Sequence, residues 1–390
     1  MSIFSGLFGK KSEVVAVFDI NSSSVGGAYV GIEEGQPPTV IYTKRVPVEL
    51  RNASSETAAV SVPDLERALK SLCEALISEG APELARVKGS GRIHRIIASV
   101  SSPWQQVAIR TEVVEQDRPF TVSRALFATV LKKTGDVPEG HEAWEESVVA
   151  ALLNGYETRA PFGKKAKRVD LVILSSSIEA TVAARITDVL RSVYHTHAVR
   201  LVAFSPVAYA ALRELYPHEK DFLAIIVSGE TTDITLIKRG LLTSTISVSS
   251  GTNDLLRATR NVGIPGDAPK VTHLDSLIDP SKNEGFRTRA AGAEAAFLDE
   301  IGKGLRSFSE RYALPRTIFL LAESESREFL RRTLDAAPLR SLWLSDEPLS
   351  IVPVLPKHAL SRMKAAGAVK EDTTLFLLAF SADTPLRRLA

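Results

Sequence analysis

The sequence carries one strand–turn–strand pattern twice, once near the N-terminus and once past the middle of the chain. The first copy covers residues 14–30, where two apolar segments flank the polar turn at residues 19–24. The second copy places apolar segments at residues 222–227 and 234–238 around another polar turn. Short β-prone runs bounded by turn residues predict hairpins. Helix and strand patterns alternate between the copies, so the sequence predicts a duplicated α/β fold with a central cleft.

Length and composition limit the class of protein. A chain of 390 residues is long enough for two or more domains, each with its own core. Its 48 basic and 46 acidic residues nearly cancel, so no overall field attracts nucleic acid. The single cysteine, Cys73, excludes an intramolecular disulfide and a cysteine-rich zinc site. No apolar run reaches the roughly 18 to 20 residues of a membrane span. These features predict a cytoplasmic globular protein.

A compact α+β module is predicted between the two hairpins. It begins with a buried strand at residues 93–101, whose partner at residues 107–114 follows a Ser-Ser-Pro turn. Thr121 is expected to cap a helix that runs to about Lys132. The further elements predicted up to the second hairpin are a strand at 147–156, a basic loop at 164–168, a strand at 169–174, a helix at 178–194, a strand at 199–204 and a helix at 207–215.

Outside the module, a helix opened by Pro63 is expected to end at Gly80. After the second hairpin the patterns predict a helix at 293–311, a strand at 317–322, a helix at 329–334 and a closing strand at 373–380.

The turn of the first hairpin has the chemistry of a phosphate site. Successive turn amides and the hydroxyls of Ser22, Ser23 and Ser24 can wrap phosphate oxygens, and Asp19 can hold a hydrated magnesium ion. Asn21 tolerates the left-handed backbone of such a turn better than most residues do. An ordinary serine-rich hairpin is the alternative interpretation.

In sequence, this turn resembles the first hairpin of the FtsA/PilM family of bacterial actin-like proteins, which has the form Asp-Ile-Gly-Ser-Ser-Ser-Val. Asn21 stands where the family prefers glycine. The segment at residues 202–210 is similar to the family's connecting strand and helix, although Ser205 replaces an acidic residue. The resemblance implies a duplicated actin-like (ribonuclease H-like) α/β fold, with two halves around a nucleotide cleft and an inserted SHS2-type α+β module.

The same resemblance implies a division of the chain into domains. It predicts an N-terminal hydrophobic and basic segment at 1–12, the first actin-like half at 13–92 and 198–216, the inserted module at 93–197, the second half at 217–370, and a return to the first half at 371–390.

The second hairpin resembles the family's second phosphate loop. The resemblance implies Mg-ATP as the cofactor, with Asp19 as the metal ligand and with further contacts from Asn21, Ser22, Ser23, Ser24, Gly229, Thr231, Thr232 and Asp233. However, Ile226 lies where actin-like ATPases keep the carboxylate that orients the metal, and an aliphatic side chain cannot do this.

The expected adenosine-binding segment also departs from the family pattern. Where the family has glycines that let the backbone approach the base and ribose, this chain has Ala322, Glu323, Ser324, Glu325 and Ser326. Glu323 and Glu325 are interpreted as a solvated helix start, because acidic residues favour the positive end of a helix. Together with Ile226, this segment predicts doubtful or vestigial ATP binding, no catalytic residue, and at most a weak ATPase.

The two ends of the chain bear on membrane contact. Near the N-terminus, an apolar helical face beside two lysines suits a short surface anchor, and it is formed by Ile3, Phe4, Leu7, Phe8, Lys10 and Lys11. A frayed or core-docked end is the alternative. Residues 384–390 are too short, and too interrupted by proline, for the C-terminal membrane helix usual in FtsA.

The resemblance implies an actin-like scaffold of the FtsA type at the inner face of the cell membrane. Such a protein recruits or organises a cell-division assembly through protein contacts and self-associates into filaments. The alternative is a PilM-like cytoplasmic adaptor of type IV pilus assembly, which binds the cytoplasmic peptide of a pilus membrane protein. An active ATPase or kinase of the same superfamily is a third hypothesis.

Overall fold

A computed structural model of the chain describes residues 12–50, 61–132, 137–196, 198–260, 284–335, 337–344 and 347–383. The predicted N-terminal anchor and residues 384–390 lie outside the described residues. Within the described ranges, no helix is both long and apolar enough to cross a membrane.

The strands of the described residues form three sheets. In chain order they are β1 Ser12–Ile20, β2 Ser24–Glu33, β3 Thr39–Pro47, β4 Arg95–Val100, β5 Gln105–Thr121, β6 His141–Leu153, β7 Tyr156–Glu157, β8 Lys165–Glu179, β9 Val199–Ala203, β10 Phe222–Val227, β11 Thr232–Lys238, β12 Leu241–Val248, β13 Thr317–Leu321, β14 Ser350–Pro353 and β15 Lys364–Ala365. The six-stranded sheet has the order β15-β3-β2-β1-β4-β9, the five-stranded sheet β12-β11-β10-β13-β14, and the four-stranded sheet β5-β8-β6-β7.

The helices cover the faces of these sheets. In chain order they are α1 Val62–Ala75, α2 Ala81–Lys88, α3 Arg124–Leu131, α4 Ala180–Tyr194, α5 Phe204–Leu215, α6 Thr252–Arg260, α7 Glu284–Ser309, α8 Ser324–Leu334, α9 Ala337–Arg340, α10 Pro356–Leu360 and α11 Thr373–Asp383.

The first half is built around β1, which is buried on both faces because helices cover each side of its sheet. Alternate side chains of a strand point to opposite faces. Phe18 packs with residues of α1 and α4, whereas Val17 packs with residues of α5 and α11. Asp19, near the end of this central strand, therefore lies in a closed environment rather than at a solvated edge.

The second half repeats this plan with β10 in the place of β1. Each strand is antiparallel to the strand that follows its turn and parallel to a later strand. In the first hairpin Asp19 is opposite Gly26, and in the second Ile226 is opposite Asp233. The acidic side chain therefore lies on the first strand of one hairpin and on the second strand of the other.

The predicted closing strand at residues 373–380 is wrong, because this segment is the helix α11. Its core-facing residues, Leu375 to Ala379, are all buried, and the run is apolar on every side. A short apolar run without periodicity does not distinguish a buried strand from a buried helix. The helix packs against β1 and α5 and so covers one face of the first sheet.

The predicted pairing within the module is also wrong. β4 does not pair with β5; it lies between β1 and β9 in the six-stranded sheet, while β5 pairs with β8. The division of the chain into domains stays a prediction. The sheet membership of β4 favours a module that begins after Val100 rather than at residue 93.

Three local predictions need correction. The helix α3 is capped by Ser123, whose hydroxyl accepts the amide of Leu126 at 3.2 Å, because Thr121 still belongs to β5. Gly80 does not end the first helical segment, since a π-helical turn, Leu76–Gly80, leads directly into α2. The basic stretch predicted as a loop lies largely in β8, which begins at Lys165.

Candidate functional site

The turns of the two hairpins touch each other at the centre of the molecule. A Cβ atom placed on Gly229 would lie 2.7 Å from backbone atoms of Ser22 and Ser23. The amide of Glu230 donates a hydrogen bond of 2.8 Å to the Ser22 hydroxyl. Only glycine allows this approach, so the backbones of the two turns occupy the space between the halves.

The turn amides of the first hairpin are bonded to Asn21. Its Oδ1 accepts the amides of Ser23 at 2.8 Å and Ser24 at 3.0 Å. Asparagine and aspartate side chains commonly bond the backbone a few residues ahead in this way. The residue that replaces the family's glycine therefore satisfies the amides that a phosphate would use.

The hydroxyls of the same turn are bonded to Glu323, which lies between β13 and α8. Ser24 donates to Glu323 Oε1 at 2.5 Å. The Ser23 hydroxyl lies 2.6 Å from both Glu323 Oε1 and Asn21 Oδ1, and its single proton serves one of them at a time. The interpretation of Glu323 as a solvated residue is wrong, because its carboxylate reaches inward to the opposite half. Glu325 is exposed, as expected.

The carboxylate of Asp19 is bonded to Arg45 of β3. Arg45 Nη2 donates to Asp19 Oδ2 at 2.8 Å, and its Nε donates to Asp372 Oδ2 at 2.7 Å. Its Nη1 donates to the Ser24 hydroxyl at 2.8 Å. Thr374 also donates to Asp19 Oδ2, at 2.9 Å. Asp19 is only 1% exposed, so these groups enclose it.

A glycine opposite Asp19 makes room for this guanidinium. A Cβ on Gly26 would lie 2.7 Å from Arg45 Nη2. The burial of Arg45 by itself would lower its pKa, but the charges of Asp372 and Asp19 outweigh that and hold the pKa well above the usual range. Burial likewise acts to raise the pKa of Asp372, and Arg45 more than reverses it, so this pKa is lowered. Arg45 and Asp372 are therefore charged at neutral pH.

The second hairpin is fixed by its own neighbours. The Glu230 carboxylate accepts Arg257 Nη2 at 2.5 Å and Asn253 Nδ2 at 2.6 Å, both from α6. The Thr232 hydroxyl donates to the carbonyl of Ser250 at 2.8 Å. The Thr231 hydroxyl is buried and has no hydrogen-bond partner among the described atoms.

Asp233 lies where three parts of the chain meet. Its carboxylate accepts Ser205 Oγ of α5 at 2.9 Å, Ser247 Oγ of β12 at 2.5 Å and Gln105 Nε2 of β5 at 3.2 Å. Among the described residues no cation pairs with it, and its burial raises its pKa despite these donors. Asp233 therefore joins the two halves and the module rather than facing a ligand.

These contacts do not fit a bound Mg-ATP. The predicted phosphate donors of the first hairpin are bonded to Asn21 and Glu323, and the predicted metal ligand is bonded to a cation of the protein. The contact at Gly229 leaves no gap between the turns for a phosphate. Ile226 is 5% exposed and carries no group for a metal. The assignment of phosphate and metal contacts to these residues stays a prediction.

A cleft of about 480 Å³ opens beside this cluster. Its volume is in the range of small-molecule sites. Its walls carry charges of both signs, with Arg45, Lys357 and Lys370 near Glu323 and Glu371. The cleft therefore lacks the uniform positive lining that polyphosphates favour.

Three residues of this cluster, Arg45, Asp372 and Thr374, were not expected from the sequence. The sequence does not distinguish Arg45 from any other charged residue on a strand, and Asp372 is 327 positions away from it. The one available signal was Gly26, a residue without a side chain in a strand next to a buried acid.

Comparison with known proteins gives information on the fold. No protein-family model matches the sequence, and no curated protein matches it. A chain of a solved PilM-PilN type IV pilus biogenesis complex is similar in structure, with a TM-score of 0.59 at 14% identity, over 97% of this chain and 99% of that chain.

Two other solved structures are more distant. One is a protein of unknown function with an actin-like ATPase fold from Bacteroides thetaiotaomicron, at 10% identity and a TM-score of 0.41 over 94% of this chain and 95% of that one. The other is the ethanolamine utilization protein EutJ from Carboxydothermus hydrogenoformans, at 12% identity and a TM-score of 0.38 over 96% and 91%. The predicted duplicated actin-like α/β fold is confirmed.

Proposed function

We propose that this protein is a PilM-type adaptor, which binds the cytoplasmic peptide of a membrane protein in a type IV pilus assembly machine. The observation that carries the proposal is the similarity of fold to a chain of the PilM-PilN complex along nearly the whole length of both chains. The internal bonding of Asp19, Ser23 and Ser24 also favours a role in binding proteins over one in catalysis.

A small groove with about 50 Å³ of free space between α5 and α11 suits a single small apolar side chain of such a peptide. Its walls are formed by Val202, Val207, Leu378 and Ala382, and Glu145 of the module and Arg200 of β9 also line it. The hydroxyl oxygen of Ser381 in this groove is buried and has no hydrogen-bond partner among the described atoms.

The test uses a synthetic peptide of the cytoplasmic segment of a type IV pilus membrane protein from the same organism. Titration calorimetry with the full chain is expected to show saturable one-to-one binding. Val207→Glu adds a charge inside the apolar groove and is expected to weaken binding at least about tenfold, or about 1.4 kcal/mol.

The matched control is Tyr156→Ser. Tyr156 is 81% exposed at the tip of the module, and its replacement should leave the affinity unchanged. Thermal unfolding checks that both variants are folded. The absence of any binding to the intact protein argues against the adaptor, and equal affinity of the Val207 variant moves the peptide away from this groove.

An FtsA-type scaffold in a cell-division assembly remains the competing hypothesis. The predicted inserted module does not distinguish the two, because the similarity to the PilM-PilN chain spans 97% of this chain. Sedimentation of filaments from the purified protein would favour the scaffold.

Membrane contact through the N-terminal residues is a separate part of the proposal. If it occurs, anionic liposomes should float the full chain but not a chain that lacks residues 1–11. No flotation of the intact protein would refute the anchor.

A further inference from the structure

The two halves are joined by side chains placed where the first hairpin was predicted to hold a phosphate and a metal ion. Glu323 belongs to the second half, and it bonds Ser23 and Ser24 of the first half across the cleft. A carboxylate is an anion with oxygen acceptors, and charge-assisted bonds to such groups are the strong class of hydrogen bond. It therefore presents to these hydroxyls the same chemistry as a phosphate oxygen.

Arg45 supplies the positive charge that a metal ion would supply in the predicted site. Its guanidinium lies between Asp19 and Asp372 and also donates to Ser24, the same serine that donates to Glu323. The charge of Glu323 contributes to the high pKa of Arg45. The contacts therefore run from the Glu323 carboxylate to the Ser24 hydroxyl, then to the Arg45 guanidinium and then to Asp19. In the predicted site the corresponding groups are a phosphate, a serine hydroxyl, a metal ion and the same aspartate.

We propose that Glu323 and Arg45 are built-in substitutes for a terminal phosphate and its metal ion, and that they hold the two halves closed without nucleotide. An internal carboxylate loses less translational freedom on binding than a free ligand does. An external phosphate would have to displace Glu323 and break the contact at Gly229 as well. The closed conformation is therefore a constant property of this chain and not a response to ATP.

The test measures the distance between the halves. Spin labels are attached through Arg67→Cys in α1 and Lys303→Cys in α7, whose side chains are 65% and 56% exposed. The native Cys73 is buried, and burial raises the pKa of its thiol to about 12, so labelling favours the introduced cysteines. Distances are recorded with and without millimolar Mg-ATP.

The labelled wild-type chain is expected to give one narrow distance distribution that Mg-ATP does not change. Glu323→Ala is expected to broaden the distribution and to lower the melting temperature by a few degrees. Acetate, but not chloride at equal ionic strength, should partly restore both. Glu323→Gln keeps an oxygen acceptor without the charge and should give an intermediate result even if the alanine variant folds poorly.

The matched control is Glu325→Ala, since Glu325 lies on the same cleft but is exposed and, among the described residues, accepts a side-chain hydrogen bond from its neighbour Ser324 rather than from the other half. It should behave like the wild type. Narrowing of the wild-type distribution by Mg-ATP would overturn the proposal, as would unchanged distances in both Glu323 variants. These outcomes do not depend on peptide binding, so they leave the adaptor proposal to its own test.

Discussion

Replacement of Arg45 by methionine gives the most direct measure of the buried cluster. The variant keeps an unbranched side chain but leaves Asp19, which is 1% exposed, and Asp372, which is 14% exposed on its side chain, without their shared cation. Removal of one partner from a buried ion pair typically costs about 3–5 kcal/mol. With about 2.1 cal/mol/K of unfolding entropy per residue, the melting temperature of the chain should fall by about 4–6 °C.

The pH dependence of the melting temperature distinguishes the loss of the shared cation from a general loss of packing. In the wild type the pKa of Asp372 is lowered, so its stabilising contribution is present above the unfolded pKa of about 3.9 and is lost as the pH falls through the lower folded value. Without Arg45 the largest cause that lowers the pKa of Asp372 is gone, and burial, the largest cause of all, raises it against the hydrogen bonds from the Leu375 amide and Thr374. Acidification then stabilises the variant relative to the wild type. The difference in melting temperature between the two should therefore be largest near neutral pH and smaller at about pH 5.

Differential scanning calorimetry at the two pH values measures both effects. Arg45→Lys keeps the charge but not the planar fork, and it should lie between the wild type and the methionine variant. Arg340→Met, at a position 48% exposed, removes an ion pair with Asp335, whose side chain is 39% exposed, and should change little. If Arg45→Met lowers the melting temperature by less than about 1 °C at neutral pH, or if its effect becomes larger on acidification, the reasoning is refuted.

Three further variants test other contacts of the cleft by thermal unfolding. Asn21→Gly removes the acceptor of two turn amides and should cost about 1–2 kcal/mol; an unchanged melting temperature would contradict its capping role. Gly229→Ala should cost about 1–3 kcal/mol, because the added Cβ would meet the backbone of the other turn, whereas Gly91→Ala, with open space around it, should not destabilise. Asp233→Asn removes a buried charge whose folded pKa is raised, so it should raise the melting temperature at neutral pH, and the gain should vanish towards about pH 4. A loss at neutral pH would show that the ionised form is needed.

The hairpins could be predicted because their information is local. Apolar strands, turn residues and a repeat of the same plan are all readable within a few positions, and both hairpins form as expected. The end of the chain could not be predicted in the same way. The apolar run of α11 carries no periodicity, since it is buried on all sides by other elements. Only the tertiary context selects the helix there.

The internal hydrogen bonds of the candidate site could not be predicted for a different reason. The turn residues were identified, but what they bond to comes from distant parts of the chain. Glu323 is 299 positions from Ser24, and Asp372 is 327 positions from Arg45. An acid before a helix and an arginine on a strand have ordinary local explanations. The sequence therefore indicates a phosphate site, whereas the folded chain bonds the same groups internally.

The position of α11 has a consequence for the order in which the protein is made. This helix covers the face of β1 that carries Val15 and Val17, and β15 completes the first sheet beside β3. A ribosome adding about 5–20 residues per second releases the first hairpin tens of seconds before residue 383. During that time α5 is already available to this face of the earliest strands, but α11 is not. The half of the molecule that is translated first is therefore completed only when residues close to position 383 have been made.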